Sequence, residues 1–135
     1  MNDTIINKIQ SLQRCVERAR EIYQKNKADF LENYDAQDAA VLNIIRACEL
    51  AIDLANYIIK AKKIGIPTSS SESYDLLARK QIIPSALAEK LKKMVSFRNI
   101  SVHEYQKIDY AIVISVIEKE LDDLIRFTDR IMDLD

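Results

Sequence analysis

The sequence is poor in the residues that build tight turns. Its 135 residues include one glycine and two prolines. Strand-rich folds need many turns, and turns commonly need these residues, so their scarcity favours an all-α fold. The single histidine argues against a zinc site, and one glycine excludes a glycine-rich phosphate loop. We therefore expect neither a metal nor a cofactor.

An excess of positive charge is also missing. Twenty Lys and Arg residues face 21 Asp and Glu residues, which leaves a formal net charge of −1. Such a chain does not coat nucleic acid through charge alone, so any binding of this kind needs a local basic groove. Charged residues also interrupt the longest apolar stretch, so we expect no membrane span. No signal peptide opens the sequence, and we expect a cytoplasmic protein.

The two cysteines give no sign of a metal site. Cys15 and Cys48 stand alone, without a C-x-x-C spacing. Both fall at apolar positions of predicted helices. We interpret them as small buried hydrophobes in a reducing cytosol.

Apolar periodicity predicts four long helices and a short one within a single domain, residues 1–135. The expected architecture is an antiparallel up-and-down four-helix bundle with a short extra helix. Asp35 or Asp38 is expected to cap the second helix, and Gly65 is expected to end it. The first long helix is predicted to span residues 3 or 4 to 26, and the second residues 36 to 63. The short helix is predicted at residues 72 to 80. The third long helix is predicted to start near residue 84, and the last to span residues 109 to 132.

The apolar residues of the outer helices define their core faces. Phe30 and Leu31 are expected at the edge of the core. Tyr110, Val113 and Val116 widen the apolar surface of the last helix, which could supply a dimer interface. The first helix carries one stripe of Ile5, Ile9, Leu12, Val16, Ala19 and Tyr23. The predicted core face of the last helix is Ala111, Ile114, Ile117, Leu121, Leu124 and Ile131.

The second helix is apolar almost all the way round, which is typical of a central helix. Only a narrow polar stripe remains. That stripe is either a thin solvent-facing edge or, through Arg46, Glu49 and Asp53, part of an active cleft or dimer seam. Its members are Asn43, Arg46, Glu49, Asp53, Asn56 and Lys60.

The residues that can carry chemistry are concentrated at positions 98–105, RNISVHEY. Histidine is the side chain that most readily exchanges protons near neutral pH, and arginine binds phosphate oxygens with a planar charged fork. RNA cleavage by its own 2′-hydroxyl needs a base, an acid and positive charge beside the phosphorane. We interpret the stretch as a site for cutting RNA. His103 is the base with Arg98 as charge stabiliser, or two copies of His103 share the base and acid roles. Asn99 could orient the histidine ring or bind a phosphate.

Helix geometry constrains how this site can be assembled. Arg98 and His103 are five residues apart, about 140° out of phase on a straight helix. The helix must therefore end or bend between them, or the partner must come from a second copy of the chain. The β-branched Ile100 and Val102 weaken the helix here, and we expect a turn at residues 104–108.

The pattern Arg98-Asn99-x-x-Val102-His103-x-Tyr105 resembles the R-x4-6-H motif of the HEPN superfamily, in the form found in HepT-like (DUF86) toxins. The long apolar second helix and the Ile83-Pro84 start of the motif helix also agree with that family. The resemblance covers almost the whole chain.

The resemblance implies a dimeric, metal-independent endoribonuclease toxin with a cleft across the dimer. Arg98 and His103 would be its catalytic pair, with Asn99 and Tyr105 in support, and transfer RNA is one candidate substrate. It further implies a cognate MntA-type nucleotidyltransferase antitoxin that places AMP on the Tyr105 phenol. Bulk and negative charge at Tyr105 would then exclude RNA from the cleft.

Two rival hypotheses remain. The chain could be a catalytically silent HEPN module that only binds its nucleotidyltransferase, or a helical interaction domain in which His103 is structural. The lysines before the motif, Lys90, Lys92 and Lys93, are either solvated surface or phosphate contacts.

Overall fold

The computed structural model describes residues 2–134, and every regular element among them is helical. This confirms the all-α prediction. The α-helices are α1 (Asp3–Lys25), α2 (Tyr34–Lys62), α3 (Ser70–Arg79), α4 (Ser85–His103), α5 (Tyr110–Ser115) and α6 (Leu121–Met132). A π-helical segment (Val116–Glu120) joins α5 to α6, and single 3-10 turns lie at Lys27–Asp29 and Tyr105–Lys107.

Contacts between the ends of the long helices show the antiparallel arrangement. The start of α1 meets the end of α2, and the end of α1 meets the π-helical segment. The start of α4 likewise meets the end of α6. The hydrogen bonds are Asn2 Nδ2 to the Tyr57 hydroxyl (2.7 Å), the Tyr23 hydroxyl to Glu118 Oε2 (2.7 Å) and Arg130 Nε to the Ile82 carbonyl (3.4 Å).

The predicted central helix is α2, which packs against α1, α3, α4 and α6. All six residues of the predicted α1 stripe are buried against it. Phe30 is buried as expected, but Leu31 is 57% exposed and the prediction for it was wrong. The turn at residues 27–29 places only one of these neighbours inward. The buried side chains of the helices form one continuous core.

The N-cap of α2 lies two residues before Asp35 and five before Asp38, the two predicted caps. The side chain of Asn33 accepts a hydrogen bond from the Ala36 amide at 3.0 Å, so Asn33 is the N-cap and Asp35 and Asp38 are not. The amide nitrogen of Asn33 also donates to Asn26 Oδ1 at 3.2 Å. Asn33 can use its oxygen and its nitrogen at once, which neither aspartate can do.

The end of α2 also differs from the prediction. Lys63 adopts the left-handed conformation (φ 53°), and its amide donates to the carbonyls of Ile59 and Lys60. Gly65 has no positive φ and therefore does not end the helix. The chain turns two residues before the glycine, and the Ile64 amide closes the turn by donating to the Ile59 carbonyl at 3.0 Å.

The last helix is not the continuous helix that the periodicity predicted. A π turn takes about one extra residue, which rotates everything before it by about 100°. As a result Val113 and Val116 are buried in the protomer and are not available to a dimer interface, whereas Ala111 is exposed and not a core residue. The predicted positions after the π segment, Leu121, Leu124 and Ile131, are buried as expected.

No helix in the described part of the chain, residues 2–134, is long and apolar enough to cross a bilayer. Those residues likewise contain no group of three or more His, Cys, Asp or Glu placed to hold a metal ion.

Candidate active site

The motif lies at the end of α4, which is unbroken from Arg98 to His103, while Tyr105 falls in the turn that follows. The amide of Glu104 donates to the Ile100 carbonyl at 2.8 Å and closes the last turn. The chain then forms the 3-10 turn at residues 105–107, and the Asp109 side chain caps α5 through the Ala111 amide at 2.9 Å. The predicted turn at residues 104–108 is confirmed, and it lies after His103.

Because α4 stays helical from Arg98 to His103, the two side chains keep their phase difference of about 140°. Arg98 points toward α2, where its side chain is half-buried. His103 is exposed at the end of α4. The hydrogen bonds among residues 2–134 include none between these two side chains. Within one protomer the two side chains therefore leave the helix in different directions.

One hydrogen-bond acceptor and one ion-pair partner contact the Arg98 guanidinium. Its Nη1 donates to Asn99 Oδ1 at 3.1 Å, and its Nη2 lies 3.5 Å from Glu49 Oε1 on α2. The Nε atom is buried without a hydrogen-bond partner in the described structure. Asn99 thus contacts the arginine here and not the ring of His103.

The buried thiol of Cys48 lies close enough to Arg98 to feel its charge. Burial raises the pKa of Cys48 to about 12, and the positive field of Arg98 opposes part of that rise. Burial also raises the pKa of Cys15, against the fields of Arg46 and two other arginines. Cys48 is buried and Cys15 is half-buried, so the interpretation of both as small core residues is largely confirmed.

Tyr105 follows the end of α4 and is 73% exposed. It lines a shallow pocket of about 180 Å³ between α2, the 3-10 turn and α5, together with residues such as Leu42 and Ser101. Most of its ring is therefore open to solvent.

Several exposed apolar side chains lie in or near the motif. They are Leu42, Ile100, Val102, Tyr105 and Ile112, each between 41% and 73% exposed. Leu42 and Tyr105 line the same pocket, whereas Ile100 and Val102, two residues apart on α4, face different sides of that helix.

The polar stripe of α2 does not act as one unit. Asn43 is buried, with its Nδ2 bonded to the Ala39 carbonyl at 2.8 Å, so it is not part of an exposed stripe. Asp53 pairs with Lys8 at 3.7 Å on α1, whereas Glu49 reaches Arg98. Only Glu49 is thereby brought to the site, and no sequence pattern pairs it with Arg98.

Two of the three lysines before the motif are engaged elsewhere. Lys92 pairs with Asp75 at 3.1 Å and Glu89 at 3.3 Å, and these hydrogen bonds raise the pKa of Lys92. Lys90 lies 4.0 Å from Asp123 on α6. Lys93 is exposed. The interpretation as solvated or structural charge fits Lys90 and Lys92 better than phosphate contact.

The arrangement offers a fixed positive charge, an exposed imidazole and an exposed phenol at one end of the bundle. The carboxylate of Glu49 is the only acidic group in contact with Arg98 among the described residues. Such a set suits binding of a phosphate ester and proton transfer beside it.

Comparison with known proteins gives consistent matches over nearly the full length. The family model described as "Ribonuclease HepT-like" matches residues 12–131. An mRNA nuclease HepT of Shewanella oneidensis is 43% identical over 129 residues, which are 96% of each chain. A putative RNase of Archaeoglobus fulgidus is 30% identical over 92 residues, which are 68% of this chain and 69% of the relative.

Among solved structures, the tri-AMPylated Shewanella oneidensis HEPN toxin in complex with MNT antitoxin superposes with a TM-score of 0.94. It is 42% identical in sequence, and the match covers 99% of this chain and 100% of that one.

Proposed function

The chain belongs to the ribonuclease HepT-like family, and from that premise we propose that it is the endoribonuclease toxin of a toxin–antitoxin pair. The observation that carries the proposal is the presentation of the motif: α4 places Arg98 and His103 at an open end of the bundle, where neither fills the core. The similarity to an mRNA nuclease favours messenger RNA over transfer RNA as substrate.

We assign the cleavage chemistry to Arg98 and His103. The 2′-hydroxyl of the RNA attacks the adjacent phosphorus, and the bond from phosphorus to the 5′-oxygen breaks. His103 takes the proton from the 2′-hydroxyl, and the leaving 5′-oxygen receives a proton from the second His103 of a dimer or from water. Arg98 stabilises the charge that builds on the phosphorane oxygens. The products are a 2′,3′-cyclic phosphate and a free 5′-hydroxyl.

A two-fold dimer completes the site. Since α4 is straight through the motif, Arg98 of one copy needs His103 of another. The exposed side chains of Ile100, Val102 and Tyr105, next to Arg98 and His103 in the chain, supply apolar surface for such an interface. Of the three residues expected from the sequence to provide that surface, Val113 and Val116 are inside the protomer and Tyr110 is half-buried.

The proposed partner is an MntA-type nucleotidyltransferase antitoxin that adds AMP to Tyr105. The exposure of the Tyr105 ring makes the phenol accessible to that enzyme. Each added AMP places a negatively charged phosphodiester and a bulky nucleoside near Arg98, where the RNA would bind. Neutralisation then follows from bulk and from like-charge repulsion of the RNA phosphate.

The reaction requires no metal or cofactor in this proposal, because an imidazole, a guanidinium and the RNA's own hydroxyl supply base, charge and nucleophile. We further propose that residues 1–135 act as a single domain. Its compartment is the cytoplasm, where RNA and a nucleotide-using antitoxin meet.

The test is cleavage of RNA by protein purified without its partner, in EDTA, with His103→Ala as control. We expect EDTA-resistant cutting by the wild type and loss of about 100-fold or more in the variant. The products should carry cyclic phosphate ends. A thermal melt of both proteins checks that the variant is folded.

Two outcomes would overturn the proposal. Absence of cutting by a folded, unmodified dimer would favour a silent module that only binds the nucleotidyltransferase. A folded wild type beside an unfolded His103→Ala variant would favour a structural histidine.

A further inference from the structure

The orientation of Arg98 depends on few contacts. Its Nε is buried but makes no hydrogen bond in the described structure, so the aliphatic stem is held while the guanidinium plane is not fixed through that atom. Orientation then rests on Asn99, which accepts from Nη1, and on Glu49, which lies beside Nη2. Asn99 is the next residue on the same helix. Glu49 is the contact that ties the guanidinium to another helix.

The hydrogen count leaves room for substrate. Each terminal nitrogen of a guanidinium carries two hydrogens. Asn99 uses one N–H on Nη1, and Glu49 pairs with Nη2 at 3.5 Å as an ion pair and not as a hydrogen bond, so at least one N–H on each nitrogen remains for a phosphate. Two such donors in a fixed plane match the two non-bridging oxygens of a phosphodiester.

We propose that Glu49 is a positioning residue for Arg98: it holds the guanidinium plane so that free N–H groups on both terminal nitrogens face the RNA phosphate. This inference rests on the proposed ribonuclease function. Glu49 touches neither the RNA nor the reacting atoms and acts through Arg98. Its side chain is 48% exposed and that of Arg98 is 27% exposed, so the pair is accessible to solvent and sensitive to salt.

The chain offers a matched control for Glu49. Asp53 is one turn further along α2, carries the same charge and also pairs with a cation, Lys8, at 3.7 Å. It does not contact Arg98. Asp53→Ala therefore removes one carboxylate and one surface ion pair from the same helix without touching the guanidinium.

The kinetic experiment compares Glu49→Ala, Glu49→Gln and Asp53→Ala with the wild type and Arg98→Ala. We expect Glu49→Ala to lower kcat about tenfold with a smaller change in KM, since a misoriented group costs rate more than binding. Glu49→Gln keeps an oxygen acceptor and should stay within about threefold of the wild type. Asp53→Ala should match the wild type, and the shape of the pH profile should be unchanged in all three.

Three kinetic outcomes would overturn the inference. Equal activity of Glu49→Ala and wild type would remove any positioning role. A lower KM in both Glu49 variants would indicate that the carboxylate competes with phosphate. Equal inactivity of both variants with an altered pH profile would make Glu49 the base itself. If the wild type does not cleave, or Arg98→Ala still does, it is the ribonuclease assignment that fails.

A measurement independent of cleavage uses protein labelled with ¹⁵N at arginine. We expect Glu49→Ala to speed rotation of the Arg98 guanidinium about its Nε–Cζ bond, seen as averaging of the terminal NH₂ signals. Asp53→Ala should leave those signals unchanged. Identical Arg98 signals in wild type and Glu49→Ala would overturn the inference whatever the enzyme does.

Discussion

The two halves of α4 differ sharply in what they do for the fold. The first half, residues 85–95, places five side chains in the core: Leu87, Ala88, Leu91, Met94 and Val95. In the second half only Ser101 is buried, with its hydroxyl bonded to the Phe97 carbonyl at 2.9 Å. Both halves have the same backbone conformation. The difference lies in whether the side chains find partners within the protomer.

That difference separates stability from activity along one helix. Removing a core side chain of the first half leaves a cavity, whereas removing an exposed side chain of the second half leaves solvent. The second half of α4 leaves Ile100 and Val102 exposed in the protomer, beside the residues to which we assign cleavage.

The largest expected effect concerns the shared site. Arg98→Ala and His103→Ala should each lose activity by about 100-fold or more. Mixing the two proteins should restore about a quarter of the wild-type rate, since half of the dimers would be mixed and each would hold one intact Arg98–His103 pair. The measurement is RNA cleavage after subunit exchange.

A failure to recover activity on mixing would mean that each cleft needs both histidines, or that the pair forms within one chain. The control is each variant mixed with itself under the same exchange conditions. Size-exclusion chromatography of the mixture checks that dimers are present.

The next effect tests the first half of α4. Leu91 is fully buried, and Leu91→Ala should lower the free energy of unfolding by about 2–5 kcal/mol through lost burial and a cavity. Lys93→Ala, exposed on the same helix, should change it by less than about 0.5 kcal/mol. Urea denaturation of both variants provides the comparison. A similar cost for the two would remove the distinction between buried and exposed positions.

A smaller effect shows that polar residues can also support the fold. Asn33→Ala should cost about 1 kcal/mol, because it removes the cap that the Ala36 amide uses. Asp38→Ala, at a position first expected to be the cap, should cost much less. Denaturant midpoints of the two variants decide between the caps. A larger loss for Asp38→Ala would contradict the capping seen in the structure.

The smallest effect on stability is expected at Tyr105. Tyr105→Phe should unfold within about 0.5 kcal/mol of the wild type, since the ring is exposed. It should still cut RNA but escape neutralisation by the antitoxin. Intact-mass measurement after co-expression should show AMP adducts on the wild type and none on the variant. Adducts that persist on Tyr105→Phe would move the modification to another residue.

The sequence by itself determined the helices and most of their inward faces. Periodicity is a local property, because residues three and four apart share a face of any α-helix. For this reason the α1 stripe, the central α2 and the turn after His103 were predictable. The family resemblance rests on the spacing within residues 98–105, which is also local.

Local rules failed where two signals competed or the helical period changed. Asp35 and Asp38 are suitable N-cap residues, but Asn33 caps α2. Gly65 is a suitable C-terminal residue, but Lys63 adopts the left-handed conformation that ends the helix. The π turn moved the core face from Ala111 to Val113, and a fixed period of 3.6 cannot register that shift.

Only the tertiary structure decided which residues meet across helices. The contact between Glu49 and Arg98 depends on the rotation of α2 and α4 about their axes and on their crossing angle. The apolar periodicity of a single helix predicts neither of these quantities. The same packing buries Asn43, and it pairs Glu49 with Arg98 on α4 but Asp53 with Lys8 on α1. Spacing along the chain determined the candidate site, and packing determined what holds its arginine.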